Sequence, residues 1–205
     1  MQSSSPTTFY GVTTISPQRQ KVIDAARRSI NQRGMTKTTM LVLASDMGIS
    51  RQTLYRTFEN RDELLALVYV HEFDKSVSEL LEKVLGESAF DEAIAKSVLL
   101  AIEVVDENPI LNDMMLGSGA LWFQSQILDH RTPLYGMLMA FGEQLWEKQL
   151  NEARKKHLLN SSINNEEAVE WLLTNHYLTM ARPKETRTHS VDILQKLVIP
   201  ALMKS

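Results

Sequence analysis

Apolar residues recur along most of this chain at spacings of three and four, the period of a helix with one buried face. In "SPQRQKVIDAARRSINQRG" the stripe is Val22, Ile23, Ala26 and Ile30, with Ser16 as N-cap, Pro17 at the first helical position and Gly34 as the stop. "TTMLVLASDMG" predicts a second helix, capped by Thr38 or Thr39 and ended by Gly48, and "SRQTLYRTF" a third of about two turns. Asn60 and Glu63 in "NRDELL" read as an N-x-x-E capping box that opens a long helix reaching Gly86.

The same grammar continues downstream. Ser88 and Asp91 start a helix running to about Glu107, Asn108-Pro109 a short one, and the glycines at 117 and 119 mark a break before Trp122 and Phe123. Thr132-Pro133 opens a long helix towards His157, and the polar "NSSINN" is a loop. Two terminal helices complete the chain. One is capped by Asn164 and Glu167 and carries Ala168, Trp171 and Leu172; the other, after "ARPKETRT", carries Leu194, Leu197, Val198, Ala201 and Leu202, with Pro200 expected to kink or end it. No internal repeat, sustained heptad or alternating strand pattern is visible, so the fold class is all-α: a three-helix head joined to a larger helical body. The expected divisions are a tail at 1–15, a helix-turn-helix domain at 16–62 and a body at 63–205.

Composition narrows the picture. The absence of cysteine excludes disulfides, thiol catalysis and thiolate metal sites, and suits a reducing, cytoplasmic setting. The opening "MQSSSPTTFYGVTTISPQ" has no basic segment followed by an apolar one, and no apolar run approaches the ~20 residues that span a bilayer; neither secretion nor a membrane partner is expected. The net charge of −3 hides an asymmetry: residues 1–60 hold eight Lys or Arg against three Asp or Glu, a balance of +5, which leaves 14 against 22, or −8, for the rest. A basic head on an acidic body suits an approach to a polyanion. The tail before Arg19 contains no Lys or Arg and is a poor minor-groove arm.

The short third helix is where the chemistry concentrates. Ala44 lets two helices approach, Gly48 permits a left-handed turn, Ile49 plugs the junction and Ser50 caps the third helix. Leu54 and Phe58 share one face, which leaves Gln52 and Arg56 nearly opposite, Tyr55 on the flank and Arg51 at the exposed start. Arg donates two bonds to guanine and Gln pairs with adenine, so Arg51 and Gln52 are the candidate base contacts. The hydroxyls of Thr39 and Thr53, the Tyr55 phenol, Arg56 and Arg61 are candidate phosphate contacts. Helix-Gly-helix turns also occur in proteins that never meet DNA, and the spacing alone leaves that reading open.

From about Gln18 to Leu65 the chain resembles the TetR family of bacterial transcriptional regulators. The most specific part is T-L-Y-x-x-F at Thr53, Leu54, Tyr55 and Phe58, followed by the basic Arg61 three places on. Gln52 stands where many relatives have a small residue, and Leu41 and Val42 where acidic residues are common. The resemblance implies a homodimer on a double-stranded, partly palindromic DNA operator, joined through the last two long helices. Here Trp171, Leu194, Leu197, Val198 and Ala201 would suit that interface. It also implies a repressor released by a small molecule, with no cofactor.

The effector is not readable, but "NDMMLGSGALWF" and "PLYGMLMAFGEQLW" gather Met114, Met115, Trp122, Phe123, Met137, Met139, Phe141 and Trp146, which can line a pocket for an apolar or amphipathic ligand with His176 and Tyr177 orienting it. The plainer reading makes these residues core. The five histidines show no metal-ligand spacing, "HEFDK" lacks the second His of a zinc helix, and no phosphate loop or nucleophile elbow appears, so an enzyme is a weak reading. The stronger rival is a helical dimeric interaction protein whose head is degenerate for DNA.

Overall fold

Ser16 Oγ accepts the Arg19 N–H, Pro17 comes next, and the first helix forms where the capping signals place it. The computed structural model describes residues 15–204; the 1–15 tail therefore lies, but for Ile15, outside the described residues. The helices are α1 (Pro17–Arg33), α2 (Met40–Asp46), α3 (Arg51–Thr57), α4 (Arg61–Glu87), α5 (Phe90–Glu107), α6 (Pro109–Met115), α7 (Ala120–Ile127), α8 (Pro133–Lys155), α9 (Asn165–Met180) and α10 (Lys184–Ile193), then a π-helical segment (Leu194–Val198) and α11 (Ile199–Leu202).

Two compact units emerge. Among the described residues, one holds 15–74 together with Asn108–Met137; the other holds Lys75–Glu107 and 138–204. They do not part at the 62/63 boundary read from the sequence. The first turns of α4 bury Leu64, Leu65 and Val68 completely. Side chains of α6, α7 and the turn between them also bond to the head's backbone and to Asp62, so these segments fold with the head.

In the first unit, Val22, Ile23, Ala26 and Ile30 of α1 meet Leu43 and Ala44 of α2 and Leu54 and Phe58 around α3 in one apolar core. The turn between α6 and α7 needs Gly119, because a Cβ there would lie 2.5 Å from the Met114 carbonyl oxygen and 2.6 Å from Met35 Sδ. In the second unit α5 packs on α9, and α9 opens on a complete capping box of Asn164 and Glu167.

One open alternative is settled, and two details depart from the sequence reading. Thr39, not Thr38, caps α2; Thr38 is buried, donates to the Gly34 carbonyl at 3.0 Å and shares a hydrogen bond with Ser29. The Asn60 box is only half made: Asn60 accepts from Glu63 N–H at 2.8 Å, but the Glu63 carboxylate is taken by Glu59 N–H and Arg19. Most of "ARPKETRT", read as a connector, belongs to α10, which starts at Lys184 because Arg187 is drawn inward onto Asp106.

His176 in α9 supplies a pH prediction. Its Nδ1 lies 2.6 Å from the Leu172 carbonyl oxygen and its Nε2 2.9 Å from Ser97 Oγ, and enclosure of the ring lowers its pKa to about 4. A lowered folded-state pKa gives stability that is complete above the unfolded value of about 6.5 and is lost as pH falls towards 4. Since the residue as a whole is only half-buried, ~2 kcal/mol is the upper bound expected between pH 7.5 and 5. Urea melts of the protein and of His176→Gln should differ in pH dependence across that window; parallel curves would remove His176 as the titrating group.

Candidate nucleic-acid interface

The turn joining α2 to α3 is built by backbone bonds alone. Ile49 N–H reaches the Ala44 carbonyl at 3.0 Å and Gly48 N–H the Ser45 carbonyl at 3.1 Å, a Schellman arrangement that requires the left-handed Gly48, φ 64°. Ser50 then caps α3 by accepting from Thr53 N–H at 3.1 Å. With Leu54 and Phe58 fully buried, the register of this two-turn helix is fixed. Arg51, Gln52, Tyr55 and Arg56 are consequently left exposed, Tyr55 at 51%.

None of the side chains of Arg51, Gln52, Tyr55 or Arg56 has a hydrogen-bond partner among the described residues, so their donors face outward unspent. Thr39 Oγ1 accepts from Val42 N–H at 3.2 Å, which leaves its hydroxyl hydrogen for an outside acceptor. Thr53 shares a 2.9 Å hydrogen bond with Ser50 Oγ and is half-buried.

Arg61 is placed differently from the phosphate role expected of it. Its Nε donates to the Thr38 carbonyl at 2.9 Å and its Nη2 to the Met35 carbonyl at 2.6 Å, while burial lowers its pKa from the ordinary arginine value. The guanidinium thus holds the turn between α1 and α2. Asp113 of α6 holds the same turn from its amide side, accepting from Met35 N–H at 2.6 Å.

Arg19 was not singled out by sequence and ties the far end of α3. It lies 4.4 Å from the Phe58 ring centroid, donates to the Thr57 carbonyl at 3.2 Å and pairs with Glu63 at 2.6 Å. Its signal was only a basic residue early in α1. Glu72, also missed, is 5% exposed, pairs with Arg27 and accepts from Asn108 Nδ2 at 3.0 Å.

The residues expected to line a pocket separate between the units. Met114, Met115 and Phe123 are buried in the first, where Tyr69 lies 4.7 Å from the Phe123 ring and its hydroxyl 3.9 Å from Met115 sulfur. Burial raises the Tyr69 pKa. Trp122 donates to Asp62 at 2.9 Å, and Met137 is half-buried. Phe141, Trp146 and Tyr177 are buried in the second unit with His176 beside Ser97, and Phe90 meets Trp146 edge-on at 6.2 Å. Of the residues expected at a dimer contact, Leu197 is 68% exposed, Trp171 and Ala201 are exposed, and Val198 is half-buried with its carbonyl 3.4 Å from Trp171 Nε1. Leu194 is 2% exposed and belongs to the core.

Among the described residues no group of His, Asp and Glu is arranged to hold a metal, and no helix is long and apolar enough to cross a membrane.

Residues 22–68 match the family model described as bacterial regulatory proteins, tetR family. Uncharacterised HTH-type transcriptional regulators of two Mycobacterium tuberculosis strains are 30% identical over 124 residues, 60% of this chain. The match spans 55% of those relatives, about half their length. Among solved structures, Mycobacterium smegmatis BioQ aligns over 89% of this chain and 98% of its own at 14% identity, TM-score 0.60. A TetR family transcription regulator from Marinobacter aquaeolei VT8 aligns over 92% and 96% at 15% identity, TM-score 0.55. At such identities the likeness to both is one of fold.

Proposed function

We propose, from the match of residues 22–68 to the model of bacterial regulatory proteins, tetR family, that the chain is a sequence-specific DNA-binding transcriptional regulator of that family. In this reading it is a cytoplasmic repressor, not an enzyme, that occupies a partly palindromic operator as a homodimer and leaves it when an apolar or amphipathic small molecule binds. The observation that carries the reading is α3 itself, whose buried Leu54 and Phe58 turn the unpartnered Arg51 and Gln52 to solvent at its exposed start. Arg51 and Gln52 read base edges, and Thr39, Thr53, Tyr55 and Arg56 take phosphate oxygens. Arg61 contributes indirectly by holding the turn that precedes α2.

Two-fold related heads read half-sites about 34 Å apart, one turn of the duplex, or a multiple of it. A ligand releases the protein only if it favours a head separation that mismatches the DNA; equal affinity for both states shifts nothing. Fluorescence anisotropy against tiled DNA from around the protein's own gene, with shuffled duplexes and a salt series, tests the reading. One tile should bind tightly, salt-sensitively and in preference to shuffled DNA. Absence of binding to every tile at low salt, unchanged by ligand removal, would favour the rival interaction protein.

The dimer contact is assigned to the apolar surface of α9 and the π-helical segment, where Trp171 and Leu197 are exposed while Leu194 is buried. Leu197→Glu would bury an unpaired carboxylate there at a cost of ~2 kcal/mol or more. Light scattering at micromolar concentration should then show monomers; a full dimer would move the interface elsewhere.

A further inference from the structure

We propose that the cleft between α5 and α10 in the second unit is a binding site for an amphipathic monoanion, a single negatively charged head carried on a medium-length apolar tail. The cleft has a volume of about 460 Å³, within the range of small-molecule sites, and none of its walls comes from the Met and aromatic interior described above. Its lining is graded: Asp106, Lys184 and Arg187 form a charged end, Leu99, Ile102 and Val191 an apolar stretch beside it, and Asp192 and Gln195 border the far side. The α10 wall from Lys184 to Val191 rises ~10 Å at ~1.5 Å per residue, a span suited to an extended tail beside a head.

The charged end is built rather than incidental. The Arg187 side chain is only 9% exposed, and its orientation is fixed by Nε donating to the Arg182 carbonyl at 2.9 Å and Nη1 to both Asp106 oxygens at 2.8 Å. Its Nη2 donates to nothing among the described residues. Lys184 also pairs with Asp106, at 3.2 Å, but is 68% exposed and keeps donors for a second acceptor. Partial burial works against the Asp106 carboxylate, yet the bonds from Arg187 and Lys184 hold its pKa below the usual value. One carboxylate thus answers two cations, leaving one positive charge in excess. Asp192 on the wall does not cancel it, since it is spent on Lys196 at 2.7 Å. A head with one negative charge completes this balance, and a tail covers Leu99, which is half-exposed among the described residues.

This inference is independent of the DNA reading. Isothermal titration of the full chain tests it with decanoate and decyl sulfate, both below their micelle-forming concentrations, and with decanol and acetate as tail-only and head-only probes. At least one anionic amphiphile should bind one per chain, with decanol at least tenfold weaker and acetate undetectable; the better of the two anions identifies the head as carboxylate or sulfate-like. Lys184→Glu and Leu99→Asp alter exposed side chains, and variants that keep the parent's melting temperature should each weaken that binding at least tenfold. Decanol binding as tightly as the anions would overturn the proposal. So would undiminished affinity in either variant, or no heat with any probe.

Discussion

Replacing Glu72 with alanine is expected to destabilise the protein by about 3 kcal/mol, as for one-sided removal of a buried ion pair. Glu72 sits on α4 at 5% exposure, with one carboxylate oxygen on Arg27 of α1 and the other on Asn108 Nδ2 at 3.0 Å. Alanine strands the Arg27 guanidinium, whose remaining partner is Asp24 at 3.3 Å, and opens a cavity besides. Arg27 retains some access to water, which keeps the expected loss at the lower end of the range for such pairs. The double replacement Arg27→Met with Glu72→Leu should recover most of the loss, because two apolar side chains need no partners. Urea unfolding monitored by circular dichroism measures both. A loss below ~1 kcal/mol for Glu72→Ala would mean that water reaches the pair.

The second large effect concerns DNA. Arg51→Ala and Gln52→Ala should each cost ~1–3 kcal/mol of operator affinity and flatten the differences between operator variants. Stability should hardly change, since neither side chain has a partner among the described residues to lose. Tyr55→Phe removes only an exposed hydroxyl, so affinity should fall evenly across sequences. Competition anisotropy with single-base operator variants separates the patterns. If sequence preference survives both base-face substitutions, reading lies with other residues, and the exposed Leu41 on α2 becomes the next to test.

What could be read from the sequence was local. Ser16-Pro17, the Gly48 turn, the Ser50 cap and the Asn164–Glu167 box are decided by residues within a few positions of one another, and the helices form there. The outward face of α3 was legible because Leu54 and Phe58 lie four apart. Contacts between distant positions left no such trace. Asp113 is 78 residues from the backbone amide it holds, and Glu72 is 45 from Arg27. Arg61 illustrates the difference. Its position after the T-L-Y-x-x-F stretch was legible, but its inward turn depends on two carbonyls, 26 and 23 residues earlier, that the α1–α2 turn leaves exposed to it. The start of α10 was missed for the same reason, because its polar first turns are recruited by Asp106, 81 residues before Arg187, and not by an apolar stripe.

The π-helical segment has a consequence for how the C-terminus tolerates change in length. Ile199 N–H reaches back five residues to the Leu194 carbonyl, so the helix carries one residue more than an α-turn would hold, just before Pro200, which has no N–H to offer. Deleting one residue between Leu194 and Val198 would return the turn to ordinary pitch and keep the direction of the last turn. An insertion would have no such outlet, and each residue added to a continuous helix rotates everything beyond it by about 100°. The last turn, which aims Ala201 outward and Leu202 inward, is therefore a place where lineages could shorten without breaking the helix, and where a single-codon gain would turn both side chains off their present faces by about 100°.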